Sequence, residues 1–222
     1  KQAARELIRV IQEEIDRLPE ENRPQLYFAG ESLGAYAIMD NYHNEEDLLS
    51  ACNGAVFSGP PRMTHFTQRL RRDIGSLERL PVIDGGKHVR YAAAPDHTLH
   101  DAFGNDYAHT WRRPRMLIAQ HASDAIVWWD LNLLVRRPTW IHEPQPEALH
   151  ADTFRQLHWV PFITWWQIGL DQVNSLNVPG GHGHNYFQEM LWYWNEVLGA
   201  QSRQHLTPKL ARKIAGFIRL DA

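Results

Sequence analysis

The chain has 222 residues, 43% of them hydrophobic and 22% charged, with a formal net charge of -3. That composition excludes a disordered chain, and the slightly acidic balance gives no reason to expect nucleic acid or anionic lipid as a partner. The single cysteine, Cys52, excludes an internal disulfide, and no apolar run reaches the roughly 18 residues that a membrane-spanning helix needs.

In chain order, Leu7, Ile8, Ile11, Ile15 and Leu18 recur at helical spacing, which predicts a helix over 3–18. The chain enters this helix at Lys1 without a methionine or a signal-peptide pattern, so a longer parent protein is expected, this piece itself being soluble. Pro24 ends the link, and the apolar run 25–29 predicts a strand. Gly30-Glu31-Ser32-Leu33-Gly34 follows at once, then a helical pattern over 35–39.

The alternation continues. Residues 53–57 predict a second strand, 58–61 a turn and 63–73 a helix. Residues 81–93, with Asp84-Gly85-Gly86 in their middle, predict a β-hairpin or an extended excursion. A third buried strand is predicted over 115–120. Aromatic-rich helices follow over 127–134 and 161–176, with a glycine-rich loop over 178–184 and closing helices over 186–198 and 207–219. No repeat, linker or low-complexity segment interrupts the pattern, so one domain spanning 1–222 is expected. Strands alternating with helices imply an α/β fold with a mostly parallel sheet.

Gly-x-Ser-x-Gly between a strand and a helix is the pattern of a nucleophile elbow. A tight turn exposes the serine, the flanking glycines leave room for neighbouring backbone, and the helix N-terminus aims N–H groups at developing negative charge. Ser32 is therefore the candidate nucleophile and the Leu33 N–H the candidate oxyanion donor. The bland alternative is a serine that merely caps the helix.

A nucleophilic serine needs a base and a group to hold that base. Asp124, directly after the strand 115–120, is the candidate acid. It doubles as a plausible N-cap, and Asp130 is the fallback. His182 and His184, in Gly-Gly-His-Gly-His-Asn-Tyr, are both candidate bases, with His182 slightly preferred. A His-x-His pair with His121 or His142 is also a metal-site pattern, though a generic one, and no metal or other cofactor is expected.

Trp is 9 and His 13, both high for this length. Paired tryptophans suit either core packing or an aromatic-walled pocket. Trp128 and Trp129, beside Asp124, and Glu31, beside Ser32, are the candidate substrate contacts.

Four blocks carry a resemblance: residues 23–35 around Ser32, residues 120–129 around Asp124, Arg136-Arg137-Pro138-Thr139-Trp140, and Gly181-His182-Gly183-His184 with Tyr186. Together they resemble a bacterial α/β-hydrolase family that joins a multi-helix membrane region to a C-terminal catalytic domain. The resemblance implies an α/β-hydrolase sheet flanked by helices that lacks its first strands here. It also implies a serine–aspartate–histidine triad on Ser32, Asp124 and His182 or His184, and membrane contact through an upstream region. The sequence departs from the family pattern in two ways. The family's upstream loop for a second oxyanion donor is not in this chain, and 161–176 reads as helix where a hydrolase has a strand before its histidine. The expected activity is hydrolysis of a small-molecule or lipid-like ester. Acyl transfer to an alcohol and a non-catalytic binding module on the same fold are the alternatives.

Overall fold

The structure, a computed structural model, describes residues 1–71, 78–143, 158–199, 207, 209–210 and 212–214. Four strands, β1 (Tyr27–Glu31), β2 (Gly54–Ser58), β3 (Val89–Ala92) and β4 (Arg115–Ala119), form one sheet in the order β1-β2-β4-β3. Every pairing is parallel. Glu31, Ser58 and Ala119 stand abreast, so β1, β2 and β4 end at the same level. Three further backbone bonds continue the ladder past those ends: Ser32 N to Ser58 O, Gly59 N to Ala119 O and Gln120 N to Ala92 O. Residues that follow the strands therefore emerge side by side along one edge, where open α/β sheets place their ligands.

Burial follows strand position. All of β2 and β3 is buried, as parallel strands covered on both faces must be, whereas β1, paired on one side with β2, is partly exposed. Period-two alternation sorts the strand side chains. Phe28, Ala55, Phe57, Met116 and Ile118 pack on one face against Ala35, Met39, Leu48 and Phe66. These come from α2 (Leu33–Met39), α3 (Glu45–Ser50) and α4 (His65–Leu70). Val56, Leu117 and Ala119 point to the other face, against Tyr186 and against Tyr193 and Val197 of the helix Phe187–Leu198. A third apolar cluster lies beyond β4, where Trp128, Leu133, Trp140 and Ile168 pack with Trp129, Trp159 and Trp165.

The expected elements are mostly present, with four corrections. Residues 81–93 form no hairpin: a 3-10 turn at Asp84–Gly86 leads into β3, which joins the parallel sheet beside β4. Arg90 disguises that strand. Its buried guanidinium bonds the carbonyls of Gly86, Thr98 and His109 and stacks 4.0 Å from the Tyr107 ring centroid. The helix expected over 127–134 is instead α5 (Ala125–Trp128) and a separate 3-10 turn, Leu131–Leu134, each capped by its own aspartate. α3 was not expected, although Asn44 caps it by accepting the Asp47 N–H at 2.8 Å. Finally, the expected helix over 63–73 is shorter on the described residues, α4 ending at Leu70.

The helical reading of 161–176 holds as α6 (Ile163–Asn174), followed by α7 (Phe187–Leu198); α1 (Gln2–Asp16) opens the chain. Residues 209–210 and 212–214 are helical, and the remainder of the expected 207–219 helix lies largely outside the described residues. Among the described residues no helix is long and apolar enough to cross a membrane.

The two glycines around Ser32 differ. A Cβ on Gly30 would lie 2.7 Å from Ala35 N and 2.8 Å from Ala35 Cα, so the β1–α2 crossing needs glycine there. Gly34 has open space, which corrects the expectation that both glycines avoid a collision. Gly30→Ala is therefore expected to cost about 2 kcal/mol or more in urea unfolding, because backbone must move. Gly34→Ala should be neutral or stabilising by up to ~1 kcal/mol, since alanine is the better helix former. Burial also pushes the Cys52 thiol up to about 11. Folded protein should resist iodoacetamide at pH 8 and react promptly in urea, because so little thiolate exists at that pH.

Candidate active site

A single residue separates β1 from α2. That residue, Ser32, has φ 54° and ψ -120°. Left-handed φ is uncommon for a residue with a side chain and costs on the order of 1–3 kcal/mol, so the surroundings must impose it. They do so through the backbone: Ser32 N donates to Ser58 O at 2.9 Å and Ser32 O accepts from Tyr36 N at 3.1 Å. The side chain makes no capping hydrogen bond to α2, which removes the simple helix-cap explanation. Leu33 opens the helix with its side chain 61% exposed, placing its N–H in the first turn, where amides have no intrahelical partner. Glu31, the last residue of β1, is exposed beside Ser32.

Asp124 is fully buried in the loop after β4. Its Oδ1 accepts from Ile126 N at 2.9 Å and Val127 N at 3.4 Å, and its Oδ2 accepts from His184 Nδ1 and Tyr186 Oη, both at 2.7 Å. One oxygen of Asp124 thus caps α5 and the other accepts from a histidine. The fallback Asp130 has other work: it accepts from Arg62 Nε and caps the following 3-10 turn at Asn132 N.

Of the two histidines, the structure brings His184 to Asp124. His182, the slightly preferred candidate, is half-buried and bridges to Asn185 within its own turn. Gly183, at φ +53°, turns the chain between the two histidines. His184 is 3% exposed, and a carboxylate facing Nδ1 requires that Nδ1 carry the hydrogen, leaving a lone pair on Nε2. That Nε2 is buried and hydrogen-bonds to nothing among the described residues. No bond from Ser32 Oγ to it is formed.

Ser32 and His184 meet the same turn from two sides. The imidazole lies over Gly59, where a Cβ would come 2.4 Å from His184 Cε1, and the preceding Ser58 carbonyl receives the Ser32 N–H. Catalytic hydrogen bonds that tighten only with substrate bound are common, so the missing Ser32–His184 bond is compatible with a working serine–histidine pair.

Tyr186 is a participant that sequence reasoning did not assign. Its ring is fully buried, its hydroxyl donates to Asp124 Oδ2, and it accepts the His121 N–H at 3.1 Å. Burial and the adjacent Asp124 carboxylate hold the phenol well above its ordinary range, so it stays a donor. No local signal marks it, since its partner lies 62 residues away.

The aromatic candidates divide. Trp128 is 2% exposed, packs on Trp140 and donates from Nε1 to His121 O at 2.9 Å. Its indole is packed into the apolar cluster of Leu133, Trp140 and Ile168. Trp129 is half-buried, donates to Trp165 O and packs on that indole at 5.2 Å. Among the described residues no group of three or more His, Cys, Asp or Glu side chains converges as a metal site would require.

No curated protein and no solved structure matches the chain. A model of the α/β-hydrolase family matches residues 1–213. With that match over almost the whole length, and with a parallel sheet flanked by helices beneath it, the chain belongs to the α/β-hydrolase family.

Proposed function

We propose that the chain is a serine hydrolase that cleaves a carboxylic ester through an acyl-enzyme on Ser32, with His184 as general base and Asp124 as its partner. The observation that carries this reading is the buried Asp124–His184 pair, with Nε2 unpartnered among the described residues and the imidazole against Gly59, next to the Ser58 carbonyl that receives the N–H of Ser32. A purely structural histidine at 3% exposure would leave that nitrogen unsatisfied for no return.

The chemistry runs as follows. Nε2 takes the Ser32 hydroxyl proton as Oγ bonds to the ester carbonyl carbon. Negative charge moves to the carbonyl oxygen, which the Leu33 N–H meets at the α2 N-terminus. Asp124 stabilises the imidazolium formed. The imidazolium then protonates the departing alkoxide, leaving the acyl group on Ser32. Water repeats the sequence, giving its proton to Nε2 and releasing the acid as Oγ recovers a proton. An alcohol in place of water would make the same intermediate an acyltransferase intermediate, and products formed with an added alcohol distinguish the two.

A lipid-like ester is the substrate class best supported. α6, in the stretch between Asp124 and His184, turns Ile163, Trp166, Leu170 and Val173 outward at 55%, 60%, 61% and 79% exposure. Contiguous apolar residues of this size on a surface suit an apolar ligand or interface.

Ser32→Ala should abolish fluorophosphonate labelling and lower kcat on a p-nitrophenyl ester by about 10⁴- to 10⁶-fold while the circular dichroism spectrum is unchanged. His184→Ala should be similarly inactive and His182→Ala should stay within several-fold of the parent. The reverse ranking of the two histidines would overturn the assignment. Tyr186→Phe removes one of the bonds to Asp124 and is expected to lower kcat by roughly 3- to 10-fold, the scale of one net hydrogen bond. An unchanged kcat would show that the other bonds to Asp124 suffice.

A further inference from the structure

Behind Asp124 lies a second pair of ionisable side chains that the acyl-transfer steps do not use. His121, in the loop after β4, is fully buried, and Glu189, in the first turn of α7, is 7% exposed. His121 Nδ1 lies 2.9 Å from Gly183 O, and Nε2 lies 3.3 Å from Glu189 Oε1. A carbonyl oxygen only accepts, so Nδ1 carries a hydrogen. A neutral imidazole would then turn its remaining lone pair on the Glu189 carboxylate. The contact at Nε2 is not an aligned hydrogen bond, yet at this range it suits an ion pair, with the imidazolium facing the carboxylate. The ring is also stacked on Tyr186, with centroids 4.1 Å apart and planes 11° from parallel.

The carbonyl that His121 grips belongs to the residue before His184. Gly183 is clamped at both ends, its N–H donating to Ser123 Oγ at 2.8 Å and its C=O accepting from His121. Its left-handed φ and close neighbours, Ser175 O and Val178 Cγ2 each 2.9 Å from a would-be Cβ, leave no other residue type a comfortable fit. Both clamping side chains sit in the same short loop as Asp124. That loop therefore holds His184 twice, by the ring through Asp124 and by the backbone through His121 and Ser123.

We propose that His121 is a positioning residue for His184, acting through its hydrogen bond to the Gly183 carbonyl. The proposal rests on the reading of His184 as the base. Removing the clamp leaves the Asp124–His184 bond possible but frees the backbone that aims Nε2, and misplacement on the order of 1 Å is costly in catalysis.

The test uses two variants and two readouts. His121→Phe keeps a ring against Tyr186 but would strand the buried Glu189, so it is combined with Glu189→Gln. Glu189→Gln alone is the conservative control, since its amide can donate to Nε2 while Nδ1–H still grips Gly183. Amide hydrogen exchange over residues 181–186 reports the clamp without reference to activity, and kcat and KM on a soluble ester report its use. The double variant is expected to speed exchange at Gly183 and His184 by about tenfold or more, and to lower kcat by roughly 10- to 100-fold with KM within about twofold. Glu189→Gln alone should stay close to the parent in both. Unchanged exchange in the double variant, or faster exchange with unchanged kcat, would overturn the proposal. A parent protein that fails to label at Ser32 would instead refute the hydrolase reading, and the exchange measurement would still decide whether His121 holds His184.

Discussion

A carboxylate removed from water keeps its charge only when its lone pairs meet donors, and the site is arranged around meeting that demand at Asp124. Two backbone amides of α5 approach one oxygen, and His184 and Tyr186 approach the other. The donors come from the segment after β4 and from the segment ahead of α7, so satisfying one buried charge joins parts of the chain about 60 residues apart. A half-satisfied network in this position would be worse than an apolar one. The fold therefore has a strong reason to keep the loop after β4, the His184 loop and the start of α7 in one arrangement.

The elbow rests on a different constraint. Ser32 holds a left-handed conformation that its own side chain disfavours, and the cost is offset by extending the parallel ladder one step past β1. Parallel register then brings Gly59 and the loop after β4 level with it. Sheet register decides which loop tips are neighbours, and the buried carboxylate decides how two of them lock. Neither alone would set an imidazole beside the turn that holds Ser32.

These two causes explain what could be read from the sequence. The elbow is local: a strand, one strained residue and a helix, with Gly30 required by contacts only a few residues away. Asp124 could be read because it follows a buried strand directly. Which of His182 and His184 meets Asp124 could not, since a single left-handed glycine lies between them and the carboxylate is 60 residues distant. The burial of Trp128 could not be read because a buried indole and a pocket-lining indole look alike in sequence; its N–H bonds the His121 carbonyl. β3 was hidden by Arg90, a charged residue that the interior accepts only because carbonyls from three separate segments converge on it. Tyr186, Ser123 and Glu189 matter solely through long-range contacts, for which periodicity and spacing carry no signal.

The position of α6 follows from the same geometry. It lies in the stretch between the acid and the histidine, and its inner face packs with the tryptophan-rich cluster beyond β4. Its C-cap residue, Ser175, accepts the His184 backbone N–H at 2.8 Å. His184 is thus tied to three things at once: the Asp124 carboxylate through its ring, the loop after β4 through Gly183, and the C-cap of α6 through its amide. Ser32 thus hangs from the sheet ladder, whereas His184 is also bonded to the helix that carries the exposed apolar residues Trp166, Leu170 and Val173.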